Sequence, residues 1–355
     1  MQIRSTIEQL KNGQHLTRAE ARAVLEALLS GSVPDEDIMA LLVALREKGE
    51  QVDELVGFAE VMRARAGETL RAAGIDLGAL RESGPLLDTC GTGGDEKGTF
   101  NVSTATALVA AAAGVRVAKH GNRSISSRCG SADVLEALGV RLDIPLGLIP
   151  ECLEKTGFVF LFAPRLHLAM KHVMKARRAL KSKTVFNLLG PLTNPLGASV
   201  QLVGVYDRTR TGMMARALQM LGAARAYVVA GHDGLDEITL TAPTQISEVN
   251  GGAVTTREVI PEDFGLPQVS LAALAGGDAQ ANTQLLRELL DGARGALRDV
   301  VLANASAALV VAGRAGNFKQ GVAQAAEAID SGAARATLDQ LVELTQQAGH
   351  ERHEA

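Results

Sequence analysis

The 355-residue chain has no tryptophan, and aromatic residues make up only 3% of it. Its core must be built from Leu, Val, Ala and Ile, and it offers few rings on which a single-stranded nucleic acid could stack its bases. Cysteine is scarce as well. Cys90, Cys129 and Cys152 are odd in number, scattered and free of any CxxC spacing, so they read as reduced thiols of a cytoplasmic protein. Neither a zinc-ligand spacing nor a GxSxG nucleophile elbow occurs. Charge of one sign is not in excess either: 36 Lys and Arg face 40 Asp and Glu, a formal net charge of −4 that exerts no general pull on nucleic acid. The longest apolar run, around Leu108–Val117, is far shorter than the roughly 20 residues of a membrane span. The opening residues, MQIRSTIEQLKNG, carry no apolar h-region, so no secretory signal is expected there and the expected compartment is the cytoplasm.

What is present is an ordinary globular composition, 46% hydrophobic and 21% charged, at a length that suggests two domains. The first ~75 residues show helical periodicity. Thr17-Arg-Ala-Glu20 fits a capping box and Gly31 fits the end of that helix. Pro34 with Asp35, Glu36 and Asp37 suits a helical first turn, and a third helix is predicted over 51–66. Three short helices cannot bury their apolar faces alone and should pack on the rest of the chain or on a partner subunit. A looser segment is predicted over 67–85. Beyond it, strand-like runs at 86–90, 115–119, 158–162, 201–206 and 227–230 alternate with helical stretches, the rhythm of crossover units and a mostly parallel sheet. From about Asn282 the chain is Ala-rich and helical again.

Three strand-to-loop junctions concentrate chemistry. The first is LLDTCGTGGDEKGTFNVST, residues 86–104, where Gly91, Gly93 and Gly94 let backbone N–H groups turn toward an anion and a helix starts near Ser103 and Thr104. Glycines alone are more often a plain turn, and neither GxGxxG nor a Walker loop is matched. The second, VRVAKHGNRSISSRCGSADVLEALG at 115–139, gathers Lys119, His120, Asn122, Arg123, Ser124, Ser126, Ser127 and Arg128 on one loop, with Ser131 placed to cap the next helix. A solvated basic loop is the plainer reading, but a strand end and a helix start flank it as in the first junction. The third, YVVAGHDGLDEITL at 227–240, is acidic, with Asp233, Asp236 and Glu237. An Asp-Glu pair is usually a polar turn; opposite two anion loops it suits Mg²⁺, which takes one or two carboxylates plus substrate phosphates. Loops at the carboxyl ends of parallel strands share one edge, so the pattern points to phosphoryl or phosphoribosyl chemistry.

A fourth stretch, KHVMKARRALKSK at 171–183, holds six Lys and Arg in thirteen residues. On a helical wheel Met170, Val173, Met174 and Leu180 share one face with Arg177 in its middle, while Lys171, Lys175 and Arg178 lie on a polar flank. An inward Arg needs an anionic partner.

Taken together, GTGGD at 91–95, TFNVST at 99–104, KHGNRSISS at 119–127, GSADVLEALG at 130–139, FNLLGPLTNP at 186–195 and GLDE at 234–237 resemble the anthranilate phosphoribosyltransferase family of tryptophan biosynthesis, in the family's order and over nearly the whole chain. The resemblance implies an α/β fold of the nucleoside phosphorylase type: a small helical N-terminal domain over 1–75, joined by a helical segment near 173–198, and a larger α/β domain over 82–348 with a mostly parallel sheet and a C-terminal helical cluster. It implies anthranilate and phosphoribosyl pyrophosphate as substrates, two Mg²⁺ ions per subunit, and a homodimer formed through the N-terminal helices. By motif, phosphoribosyl pyrophosphate would be held by Gly91, Gly94, Asp95, Thr99, Asn101, Val102, Ser103 and Thr104, and by Lys119, His120, Gly121, Asn122, Arg123, Ser124, Ile125, Ser126, Ser127 and Ser131. Gly91, Asn122 and Arg177 would meet anthranilate, and Ser103, Asp236 and Glu237 would hold magnesium. The family pattern is broken at Glu96, Leu168, Lys175, Ala179 and Lys181, which stand where Gly, Pro, Pro, Glu and Gly are usual. Two other readings stay open at this point: a pyrimidine nucleoside phosphorylase of the same fold, which would not need the Asp236-Glu237 pair, and a non-catalytic nucleic-acid-binding relative.

Overall fold

The structure is a computed structural model that describes residues 3–124 and 128–350, with side chains described through Ala348. Ile125, Ser126 and Ser127, expected to hold the phosphorylated substrate, lie outside the described residues.

The N-terminal region folds as helices Ile3–Lys11, Arg18–Leu29, Asp35–Lys48 and Val52–Ala72. The capping box forms as expected: Thr17 Oγ1 accepts from Glu20 N, and the Glu20 carboxylate accepts from Thr17 N at 2.8 Å. Asp35, Glu36 and Asp37 occupy the first turn of their helix, where its dipole favours acids. The helix predicted over 51–66 continues to Ala72, because Glu68, Leu70, Arg71 and Ala72 are good helix formers and the chain turns only at Gly74. Within the segment predicted to be loose, Asp76 caps a further short helix, Leu77–Glu82.

Seven strands form one sheet: β1 Leu87–Asp88, β2 Val117–Gly121, β3 Phe158–Phe162, β4 Val200–Gly204, β5 Arg225–Gly231, β6 Thr244–Asn250 and β7 Ala253–Val259, in the order β3-β2-β1-β4-β5-β6-β7. Strands β1 to β5 are parallel; β6 and β7 pair antiparallel. The β6–β7 hairpin was not read from the sequence. Its signal was present, two alternating runs around Asn250-Gly251-Gly252, with both glycines at the positive φ that a tight hairpin turn requires; its many polar residues hid it.

The sheet separates two cores. On one side Leu87, Val117, Phe158, Leu202 and Val229 pack with helices Val102–Ala112, Ala296–Val311 and Ala333–His350. On the other, Val203, Val205, Val228 and Val249 pack with helix Thr211–Met220, the segment Val185–Leu192 and the N-terminal helices. The N-terminal helices thus bury their apolar faces within their own chain. All five parallel strands end on the same edge. Chain order reverses between β1, which is followed by β2 and β3 on one side, and β4 on the other, and a crevice opens outside the carboxyl ends of strands at such a point.

Candidate active site

The loop after β5 crosses directly over the end of β4. A Cβ on Gly204 would lie 1.5 Å from the Asp236 carbonyl oxygen, so only glycine lets the two backbones meet. Asp233, part of the acidic loop in sequence, is used internally: it accepts from Leu235 N at 3.1 Å and from Thr239 Oγ1 at 2.6 Å. That leaves Asp236 and Glu237 turned to the crevice. Asp236 Oδ2 accepts from Gly93 N at 2.9 Å, which joins the third junction to the first. Gly91 lies beside the same oxygen; its absent Cβ would be 3.2 Å from Asp236 Oδ2. Burial, then the nearby Asp95 carboxylate, pushes Asp236 up to about 7. Glu237 is raised well above the usual carboxylate range by burial and by Asp236, partly offset by Lys119 and by a hydrogen bond from the Ser103 backbone.

Opposite the acids stands Lys119 at the end of β2. It is buried, and Nζ donates to Thr89 O (3.1 Å), Thr89 Oγ1 (3.1 Å) and Ser103 Oγ (3.2 Å). No carboxylate is bonded to it, and burial pulls it below its ordinary value. The His120 ring donates from Nδ1 to Gly190 O at 3.1 Å, which leaves Nε2 as a buried acceptor without a partner. His167 Nε2 is likewise unpartnered, and the two rings meet edge to face at 5.1 Å. Burial lowers them to about 4 and about 3, so both are neutral at pH 7. Beneath them Asp88 accepts from His120 N and Asn194 Nδ2, and burial raises it to about 6. Asp88, Cys90 and His120 are the one group of three metal-ligating types found close together among the described residues. Asp88 is occupied by those hydrogen bonds and burial raises the Cys90 thiol, so this cluster supports the floor of the site rather than forming a thiolate metal centre.

The remaining expected residues divide. Gly94 lies against Lys183, whose Nζ donates to Gly94 O at 2.5 Å and sits 3.9 Å from the centre of the Tyr206 ring. Thr99 makes an isolated bridge to Ala275. Asn101 is locked between Cys129 O and Asn282 Nδ2, and Val102 and Thr104 are buried in the first turn of the helix behind Ser103. Gly121 closes β2 beside Ser131 Oγ. Asn122 Oδ1 accepts from Arg123 N. Arg123 is ion-paired to Asp133 and bidentately to Glu136. Ser131 does not cap the next helix: Gly130 does, and Asp133 Oδ2 collects Gly130 N and Ser124 N, while Ser131 Oγ donates to Asn122 O at 3.4 Å.

The basic stretch is a helix over Lys171–Leu180. Val173 and Ala176 are buried, Lys171, Lys175 and Arg178 are exposed, and Arg177 is partly buried, 5.6 Å from the centre of the Phe186 ring. Burial alone lowers Arg177, and among the described residues no carboxylate pairs with it. Lys175 is explained by Asp35, 2.6 Å away, which ties this helix to Asp35–Lys48. Among the described residues Glu96 and Lys181 are the non-glycine residues with positive φ, +59° and +47°, two positions where the resemblance leads to the expectation of glycine. The Glu96 side chain is 76% exposed, so its charge stays in solvent beside Lys183. Sequence reading missed Lys183, Asp88 and His167; the only visible trace of the first was the unexplained density of lysines at 171–183.

Opposed charges without salt-bridge partners among the described residues, set at a reversal of strand order, are what a group-transfer enzyme for phosphorylated substrates presents. The family follows from comparison. Residues 83–335 match the glycosyl transferase family a/b domain, and residues 4–66 match the same family's helical bundle domain. The chain belongs to this family. A protein of Moorella thermoacetica called anthranilate phosphoribosyltransferase is 51% identical over 341 residues, covering 96% of this chain and 97% of its own. The crystal structure of anthranilate phosphoribosyltransferase from Thermus thermophilus aligns at TM-score 0.85 and 42% identity over 96% of this chain and 99% of that one. That from Saccharomyces cerevisiae, in complex with PRPP and Mg, aligns at TM-score 0.85 and 26% identity over 97% and 98%. No described helix is long and apolar enough to cross a membrane.

Proposed function

We propose that this chain transfers the 5-phosphoribosyl group of phosphoribosyl pyrophosphate to the amine of anthranilate in tryptophan biosynthesis. The observation that carries the reading is the coexistence of two uncompensated poles: carboxylates Asp236 and Glu237 held above their ordinary range, and Arg177, inward-facing without an acid. The names of the relatives support it.

The bond from ribose C1 to the pyrophosphate oxygen breaks with its electron pair leaving on pyrophosphate. A bond from C1 to the anthranilate nitrogen forms, and the nitrogen then gives up a proton. An aryl amine is already neutral at pH 7, so no strong base is demanded, and positioning supplies much of the rate. The hard oxygen donors Asp236, Glu237 and Ser103 Oγ would hold the two Mg²⁺ ions, because a divalent cation would relieve the burial and carboxylate repulsion that raise both acids. Magnesium held there would supply positive charge against the departing pyrophosphate. Gly91, Gly94, Asp95, Thr99, Asn101 to Thr104, Lys119 to Ser127 and Ser131 would hold the phosphorylated substrate. Lys119 keeps Ser103 and Thr89 in place. His120 and His167, held neutral, add no positive charge beside the cation-like ribose carbon. Arg177 grips the anthranilate carboxylate as a bidentate fork, with Gly91 and Asn122 beside the ring. The domains divide at 1–75 and 82–348, with the segment near 173–198 joining the first; the working form is a cytoplasmic homodimer through the N-terminal helices.

The test mixes the protein with anthranilate, phosphoribosyl pyrophosphate and Mg²⁺ and follows anthranilate fluorescence. A decrease that depends on all three components is expected; no decrease from folded protein across a range of magnesium rejects the proposal.

A further inference from the structure

Among the arginines displaced from their ordinary ionisation, Arg18, Arg65, Arg123, Arg141, Arg210 and Arg335 are held up by hydrogen-bonded carboxylates. Two go the other way. Arg177 is one, assigned above to the anthranilate carboxylate. The other is Arg63, lowered to about 10 by burial and then by the neighbouring Arg81. Arg63 lies on helix Val52–Ala72.

The surroundings of Arg63 form a site. A cavity of about 460 Å³ is lined by Arg63, Arg81, Leu86, Gly197, Ser199 and Gly222, among others. Arg63 is anchored from behind, Nε donating to Leu192 O at 2.6 Å and Nη1 to Leu221 O at 3.1 Å. Its Nη2 is shielded from bulk solvent and has no hydrogen-bond partner. Arg81 is anchored through Nε to Leu196 O at 3.3 Å. Among the described residues neither guanidinium is paired with a carboxylate. The acids that Arg63 feels are used elsewhere: Glu60 by Arg18, and Asp88 by Asn194 and the His120 backbone. Two cations brought together beside a cavity, one with an unmade hydrogen bond, are unfavourable without an anion. The volume falls in the range of small-molecule sites.

We propose that this cavity is a second anion-binding site, for a small dianion of the phosphate or dicarboxylate class. It is separate from the active site. Leu86 and Ser199 stand just before β1 and β4, whereas the crevice opens after those strands, so the five residues of β4, about 16 Å at ~3.3 Å each, lie between them. Arg63 comes from the N-terminal helices and Arg81, Ser199 and Gly222 from elements around the sheet. An anion there bridges the helical region and the sheet.

The experiment titrates the full chain with inorganic phosphate, without Mg²⁺, by calorimetry, with malonate in a parallel series to separate phosphate from dicarboxylate preference. Wild type should show two classes of phosphate site. Arg81→Gln should weaken one class about tenfold or more while leaving the other, and kcat/KM at low anion, as in wild type. Arg81→Lys should restore part of the lost binding. Lys119→Met should weaken the other class instead. Isotherms of wild type and Arg81→Gln that superpose in both series overturn the proposal, and so does an Arg81→Gln protein that loses both classes together. Because the readout is binding, it stands or falls independently of the reaction proposed above.

Discussion

Two loops at the same sheet edge treat their charges in opposite ways. After β2, Arg123 is spent on Asp133 and Glu136, and its charge orders the loop it belongs to. After β5, Asp236 and Glu237 face the crevice without a salt bridge, and burial, with repulsion from Asp95 on Asp236 and from Asp236 on Glu237, holds them above their ordinary range. Arg177 repeats the second pattern with the opposite sign. Paired charges build the frame. Unpaired ones mark where a ligand must supply the missing partner, since an isolated buried charge is expensive.

Substitutions can break this distinction, and their expected effects are graded. Glu237→Gln removes the carboxylate hydrogen-bonded by the Ser103 backbone and should lower kcat by about 10²–10³-fold, as losing a transition-state charge stabiliser does; initial rates across a magnesium series check it, and rates within twofold of wild type would remove Glu237 from the site. Arg177→Ala should raise KM for anthranilate by roughly 10–100-fold, the loss of a charge-assisted bidentate contact of about 1.4–2.7 kcal/mol, with KM for phosphoribosyl pyrophosphate nearly unchanged; equal changes in both would reject its assigned role. Arg123→Gln sharpens the contrast. If its pairs persist in the working state, KM for phosphoribosyl pyrophosphate should shift only a few-fold, and a shift as large as that of Arg177→Ala would mean the guanidinium leaves Glu136 for a phosphate.

Ionisation offers a further test. Asp236, raised to about 7 when folded, favours the fold at low pH and loses that contribution as pH rises from about 4 through about 7. The metal-free protein should therefore melt lower at pH 8 than at pH 6 relative to Asp236→Asn, and Mg²⁺ should abolish the difference. Pairwise melts of the two proteins decide it; a gap that does not vary with pH contradicts the unpaired pole. The smallest effect belongs to an exposed pair: Lys175→Ala, losing Asp35, should change stability by less than about 1 kcal/mol in denaturant unfolding.

Residue order alone determined the class of fold, the parallel strands and the identity of the three loops, because strand alternation, glycine turns and caps act within a few residues of one another. It also placed Arg177 on an apolar helical face, since a 3.6-residue period is local. The β6–β7 hairpin was legible in principle from Asn250-Gly251-Gly252 but was masked by polar strands at the sheet's edge. Only the tertiary structure decided that Gly204 lets the acidic loop lie over β4, that Lys119 hangs from Thr89 and Ser103, that Lys183 reaches the glycine loop, and that Arg63 and Arg81, eighteen positions apart, meet at one cavity. Each of these depends on contacts between distant segments, and whether a charge is left unpaired is settled only when every neighbour is in place.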